Sequence, residues 1–343
     1  MASVPAADLE HILAHSRDIW SELAGTQLFI TGGTGFFGIW LLEAIAAAND
    51  ALKVGVGATV LSRDPAPFLA RMPHLASRTE FDWLIGHPAN FRFPQQKHDY
   101  LLHLATATSA RIEQTDPVEM LHTKLTGIRH VLDYARHSGT RRMLVTSSGA
   151  VYGTQPTDHS HIPETYAGAP DPTQAASAYG QGKRLVEQIC AATPEIECVF
   201  ARCFSFVGPH LPLDARFAAG NFLRDALAGG PITVGGDGTP LRSYLYASDL
   251  IPWLLKLMVK GQTQRAYNVG SDQAISIAEL ADAVAKAAGG CAVVVKKTPD
   301  GAPVQRYVPS IARAREELGL GVWTPLPDAL SRTLDWARRH AAG

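Results

Sequence analysis

The chain has 343 residues, of which 46% are hydrophobic and 18% charged. That is enough apolar material for one large domain or two small ones and too little charge for a disordered chain. Lys and Arg number 31 against 32 Asp and Glu, a net charge of −1, so no basic surplus points to a nucleic-acid polymer or an anionic membrane. No apolar run approaches the roughly 18 residues of a membrane-spanning helix. Residues 1–24 carry Asp8, Glu10, Asp18 and Glu22 among their apolar positions, unlike a signal or transit peptide, which implies a cytoplasmic protein. Cys190, Cys198, Cys203 and Cys291 form no CxxC pair, so neither a metal site nor a disulfide framework is expected.

In chain order, Leu9, Ile12, Leu13, Ile19, Trp20 and Leu23 recur at helical spacing, with Asp8 as the expected N-cap. Gln27–Thr31 reads as a buried strand, Ile39–Ala48 as a helix and Ala58–Leu61 as a second strand. Apolar runs at Asp99–Ala105, Arg142–Ser147 and Cys198–Phe204 predict further strands, with a helix over Val118–His137. Strands alternating with helices predict a parallel sheet with right-handed crossovers. From Gly208 to Tyr246 the chain is rich in Gly and Pro, interrupted by a helical stretch at Phe217–Ala228. A short strand at Ala266–Val269 and helices at Ile277–Ala288 and Asp328–His340 complete the reading.

Between the first strand and its helix lies Thr31-Gly-Gly-Thr-Gly-Phe-Phe-Gly38. Glycines there allow a tight turn, close approach of backbone to a pyrophosphate and close helix–strand packing. The helix N-terminus beyond offers free N–H groups to phosphates. The second strand ends in Val60-Leu61-Ser62-Arg63-Asp64. Ser62 stands where an NAD-binding chain would place a carboxylate for the ribose hydroxyl, and Arg63 suits a 2′-phosphate, so the reading favours NADP over NAD. Asp64 keeps NAD open. A solvated loop position is the plain alternative for Arg63.

Tyr179 and Lys183 are four residues apart, which puts them on one face of a helix. A tyrosine titrates near 10 when free, and a neighbouring ammonium favours its phenolate, making it a usable base. Upstream, a strand ends in Val145-Thr-Ser-Ser-Gly-Ala-Val-Tyr-Gly153, which sets a serine at the edge where ligands bind in such sheets.

Glycine turn, serine strand end and YxxxK in this order resemble the extended short-chain dehydrogenase/reductases, the NAD(P)-dependent nucleotide-sugar epimerase/dehydratase family. The resemblance covers nearly the whole chain. It implies a Rossmann-like doubly wound parallel sheet over residues 1–205, with 243–275 returning to it. A smaller C-terminal α/β substrate-binding region would comprise 206–242 and 276–343. It implies catalytic roles for Ser148, Tyr179 and Lys183. Gly32, Thr34, Gly35, Phe36, Phe37, Gly38, Ser62, Arg63, Leu104, Ala105, Thr106 and Lys183 would contact the cofactor. Ser147, Ser205 and Arg242 would contact a nucleotide-diphosphate sugar, Arg242 through its diphosphate; a structural salt bridge to Asp249 is the competing role for Arg242. A homodimer through the two helices carrying Val118–His137 and Tyr179 is implied by analogy.

Three positions depart from the family pattern. Lys124 replaces an Asn, Ser205 replaces another Asn, and His87 follows Gly86 where Asp is frequent. At Gly149 and Ala150 the family's 4,6-dehydratases resemble Asp-Glu, and its decarboxylases also carry a Glu there. Neither residue here transfers protons, which disfavours water loss and that mode of decarboxylation. Three functions follow: an epimerase working by transient oxidation of a sugar carbinol, an NADPH-dependent 4-keto-sugar reductase, or a dinucleotide-sensing regulator without turnover. The presence of both Tyr179 and Lys183 speaks against the third.

Overall fold

The structure is a computed structural model and describes residues 3–105, 116–213 and 217–340. Two compact units are present. The first comprises residues 1–153, 169–203 and 251–267, and the second 154–168, 204–250 and 268–343. The division therefore differs from the expected one: residues 154–168 join the second unit, and the returning segment is 251–267 rather than 243–275.

The first unit opens with α1 (Ala6–His15) and α2 (Arg17–Glu22). Asp8 does not cap this helix. Pro5 holds the N-cap position, and Asp8 lies within the first turn, fully buried. The helix expected to be continuous breaks at Ser16, whose hydroxyl donates back to the Ile12 carbonyl at 2.5 Å, a bond that competes with the helical ladder. Ile12, Ile19, Trp20 and Leu23 are fully buried, each contributing about 1.5–3 kcal/mol.

The central sheet uses β1 (Gln27–Thr31), β2 (Gly57–Ser62), β3 (Phe81–Ile85), β4 (Tyr100–His103), β5 (Arg142–Ser148), β6 (Glu197–Cys203) and β7 (Arg265–Val269), in the order β7-β6-β5-β4-β1-β2-β3. The pairings among β1 to β6 are parallel. Leu28, Phe29 and Ile30 are fully buried, as expected of strands covered on both faces. Strand order reverses between β1 and β4, both of which hydrogen-bond to one another. At such a switch point the loops after the two strands part and leave a crevice.

The crossovers are α3 (Phe36–Leu52), α4 (Pro117–Ser138) and α5 (Ala178–Ala191). Helix α4 is delimited as its sequence demands: Asp116 accepts the Glu119 N–H at 2.9 Å, Pro117 opens it, and Gly139 ends it at φ 74°. The longest helix that went unread among the described residues is α6 (Ala247–Lys260), which contains Pro252; the short helices Ala66–Arg71, Pro73–Ala76 and Ala312–Leu318 also went unread. In α6, Trp253, Leu254, Leu255, Leu257 and Met258 are fully buried. Lys256 pairs with Asp18 at 3.7 Å and Lys260 with Glu22, tying α6 to α2.

In the second unit, Leu241–Arg242 lies between Ile275–Ser276 and Arg306–Tyr307, and Ile232–Val234 pairs with Val293–Val295. Helices Ala218–Leu227 and Ile277–Ala287 pack on these strands and Leu326–His340 packs on both helices, the second of them started by a Ser276/Glu279 capping box. No helix among the described residues is long and apolar enough to cross a membrane.

Candidate active site

The glycine turn is built on close contacts. Gly32 has φ +77°, and a Cβ there would meet the Ala105 backbone N at 2.7 Å. A Cβ on Gly38 would meet Gly33 backbone atoms at 2.3 Å. Only residues without a side chain let the turn sit this close to the end of β4 and let α3 start against β1. Gly35 is the N-cap residue of α3, and no side chain caps that end. The first turn, Phe36, Phe37 and Gly38, carries the positive dipole end of the helix, the kind of end that suits a phosphate. The Thr31 hydroxyl joins β1 to β4: it accepts the Ala105 N–H at 3.3 Å and bonds His103 Nδ1 at 2.9 Å. Thr34 is half-buried and Leu104 buried beside this turn. Thr106 lies outside the described residues.

At the end of β2, Ser62 is buried and Arg63 exposed. Asp64 accepts the Ala66 N–H at 3.1 Å and serves as a local turn residue. His87 follows β3, and its pKa is lowered by burial and then by the Arg63 charge. Arg63 and His87 therefore share one end of the crevice.

The YxxxK pair sits on α5. Tyr179 is half-buried and Lys183 buried, its Nζ donating to the Thr146 carbonyl at 2.7 Å. Ser148 ends β5, and its Oγ accepts the Ala150 N–H at 3.2 Å at the start of a short 3₁₀ turn, Gly149–Tyr152. Lysine and serine are thus both referenced to the last residues of one strand.

Gly180 is required by packing, since a Cβ there would meet the Ala150 carbonyl oxygen at 2.5 Å. The same glycine sets Tyr179's helix against the strand end that carries Ser148.

Ser147, expected as a substrate ligand, is instead engaged inside the fold. Neighbouring strand residues point to opposite faces, and its hydroxyl donates to Glu187 on α5. Glu187 also pairs with Arg202 on β6, at 2.7 and 3.0 Å, and Arg202 donates to the Tyr152 hydroxyl at 3.0 Å. This cluster fixes α5 on β5 and β6. Glu187 was not singled out in the sequence, although Tyr179, Lys183 and Glu187 form one i, i+4, i+8 stripe.

In the second unit, Ser205 is half-buried and its carbonyl accepts the Leu245 N–H at 3.0 Å. Asp249 does not hold Arg242: it accepts from the Trp323 and Thr324 N–H groups and the Thr324 hydroxyl, at 2.8–2.9 Å. Arg242 donates to the Leu241 carbonyl at 2.8 Å, and among the described residues no carboxylate pairs with it. Burial lowers its pKa, opposed by Tyr244 and Tyr307. A half-buried guanidinium without a carboxylate is a ready anion ligand.

Lys124, on α4, was read as a departure from a pattern and not as a neighbour of Tyr179. Its Nζ lies 4.9 Å from the centre of the Tyr179 ring, within the range of a cation–π contact. The signal was a lysine at the inward, buried position of an amphipathic helix, where lysines seldom sit. All four cysteines are free thiols.

A family model described as the NAD dependent epimerase/dehydratase family matches residues 28–270. The chain belongs to the NAD dependent epimerase/dehydratase family. It is an enzyme of the extended short-chain dehydrogenase/reductase type. Curated members of this family resemble it along most of their length. UDP-glucuronic acid decarboxylase 3 of Arabidopsis thaliana is 31% identical over 314 residues, 87% of this chain and 84% of that protein. UDP-glucuronic acid decarboxylase 1 of Xenopus tropicalis is 28% identical, covering 93% and 74%. Among solved structures with this fold is the UDP-glucose 4-epimerase of Thermotoga maritima with UDP-glucose, at TM-score 0.75 and 21% identity, covering 92% of this chain and 99% of that one. The dTDP-glucose 4,6-dehydratase of Streptomyces venezuelae with NAD superposes at TM-score 0.77 and 20% identity, covering 92% and 98%.

Proposed function

We propose that this family member is an NAD(P)-dependent nucleotide-sugar epimerase that works by transient oxidation and re-reduction of a sugar carbinol, with C4 the first carbon to test. The observation that carries the reading is the set Ser148, Tyr179 and Lys183 standing next to Gly149 and Ala150. It is a complete apparatus for moving a carbinol proton, with no ionisable group at the two positions where elimination or decarboxylation chemistry needs one.

The glycine turn and the uncapped start of α3 fit a dinucleotide: two close backbone approaches and the positive dipole end of a helix. When bound, the nicotinamide supplies reversible hydride exchange with the carbinol carbon. Tyr179 Oη takes the hydroxyl proton during oxidation and returns it during reduction. Lys183, anchored on the Thr146 carbonyl, favours the phenolate by its charge. Ser148 donates to the same substrate oxygen and fixes its position. Arg242 is the candidate partner of the diphosphate, and the relatives' names put UDP-sugars first among substrates. The protein is incubated with UDP-glucose, UDP-galactose and UDP-glucuronic acid and the products resolved by chromatography and mass spectrometry. The expected product has unchanged mass and an inverted carbon. Loss of water or of carbon dioxide at catalytic rates would defeat the epimerase reading and return the chain to the dehydratase or decarboxylase branch.

Arg63 favours a second reading, a reductase of keto-sugars that consumes NADPH. Its exposed guanidinium at the end of β2 would pair with a 2′-phosphate. Arg63→Ala is expected to weaken NADP relative to NAD by roughly ten- to hundredfold, the worth of one charge-assisted contact. Isothermal titration with both cofactors measures this. Equal losses for the two would remove Arg63 as the selector.

A further inference from the structure

We infer that Lys124 is a second ammonium acting on Tyr179, a positioning residue that favours the tyrosine phenolate from the face of its ring. The inference rests on the reading of Tyr179 as the acid–base group and adds a partner from a different helix.

Two independent observations carry it. The first is the 4.9 Å separation between Lys124 Nζ and the Tyr179 ring centre. Lys124 is buried at 7% exposure and Lys183 at 3%, so both charges act through little solvent. The second is Gly182, between Tyr179 and Lys183 on α5. A Cβ there would meet Lys124 Cδ at 2.7 Å and Cε at 3.3 Å. The missing side chain is the channel through which the Lys124 stem crosses α5 to reach the tyrosine. A buried lysine and a glycine that admits it occur on facing helices, which is the arrangement a dedicated contact requires.

The other titratable groups gathered here are few among the described residues. His103 at the end of β4 is pushed down to about 3, by burial first and then by the Lys183 and Lys124 ammoniums. It is therefore neutral, and it registers both charges at one point. His87, after β3, lines the same pocket as Lys124, Lys183 and His103, and burial lowers it too. Cys203 at the end of β6 is pushed up to about 12 by burial, with Lys183 opposing. Lys124 and Lys183 thus line one pocket, and Lys124 Nζ lies over the Tyr179 ring. An opposite charge at this range typically moves a titration by about 1–3 pH units. The sign is downward for a phenol beside an ammonium, so removing Lys124 moves Tyr179 ionisation to higher pH.

The test reads that ionisation directly. Protein labelled with ¹³C at tyrosine Cζ is titrated by NMR, and the Tyr179 signal is assigned by its absence in Tyr179→Phe. Lys124→Met is expected to raise the Tyr179 midpoint by about one pH unit or more, and Lys124→Arg to leave it near the wild-type value. Gly182→Ala supplies a second route, because its new methyl meets a movable side-chain stem and displaces Lys124 while the helix persists. It should raise the midpoint in the wild-type background and add nothing to Lys124→Met. An unmoved midpoint in Lys124→Met, or in Gly182→Ala should Lys124→Met not fold, overturns the inference. A moved midpoint together with undiminished turnover in Tyr179→Phe would instead leave the electrostatic coupling standing and remove the acid–base reading.

Discussion

Tyr179→Phe is expected to lower turnover by about 10²–10⁴-fold, the usual worth of a positioned general acid–base, with fold and cofactor affinity retained. The substitution removes one oxygen and nothing else. The ring face that Lys124 covers remains, and so does the Lys183 bond to the Thr146 carbonyl. Steady-state kinetics on the UDP-sugar that reacts, beside a thermal melt and a cofactor titration, separates the chemical loss from a structural one. Turnover near the wild-type value would take Tyr179 out of the mechanism.

Gly32→Ala is expected to abolish tight dinucleotide binding and to destabilise the fold by roughly 2–5 kcal/mol. Two costs combine. An L-residue at φ +77° pays about 1–2 kcal/mol for the left-handed conformation. A methyl 2.7 Å from the Ala105 backbone N adds an overpacking cost of about 1–3 kcal/mol. The neighbour is backbone, not a movable side chain, so relief requires shifting the turn or the end of β4. Either displacement disturbs the α3 N-terminus on which phosphates would rest. Denaturant unfolding reports the stability change and calorimetric titration the cofactor. A variant as stable as the wild type would show that the turn has room that its geometry denies.

The core elements were legible because their signals are local. Leu28-Phe29-Ile30 is an apolar run short enough for a strand, and it is buried on both faces. Asp116, Pro117 and Gly139 are start and stop signals that act within one turn of α4. The glycine turn announces itself because only one residue type fits so tight an approach. Helix α6 escaped notice for the same reason in reverse. Pro252 lies inside it, and proline in a helix interior reads as a break. The burial of Trp253, Leu254, Leu255, Leu257 and Met258 compensates for it. Asp8 shows the limit of cap chemistry: its type suits an N-cap, yet it lies in the first turn behind Pro5.

The sequence by itself determined the parallel α/β architecture, the dinucleotide-type turn and the Tyr179–Lys183 pair, since each depends on spacing within one element or one turn. What the Ser147 hydroxyl does was decided by Glu187 on α5, which accepts from it while pairing with Arg202. What Asp249 does was decided by Trp323 and Thr324, far along the chain, and not by Arg242. The meeting of Lys124 and Tyr179 was decided by the packing of α4 on α5 through the space that Gly182 leaves empty. Spacing along a chain encodes neighbours on one helix face, whereas contacts between helices follow from how side-chain volumes fit, and that fit exists only once the chain has folded.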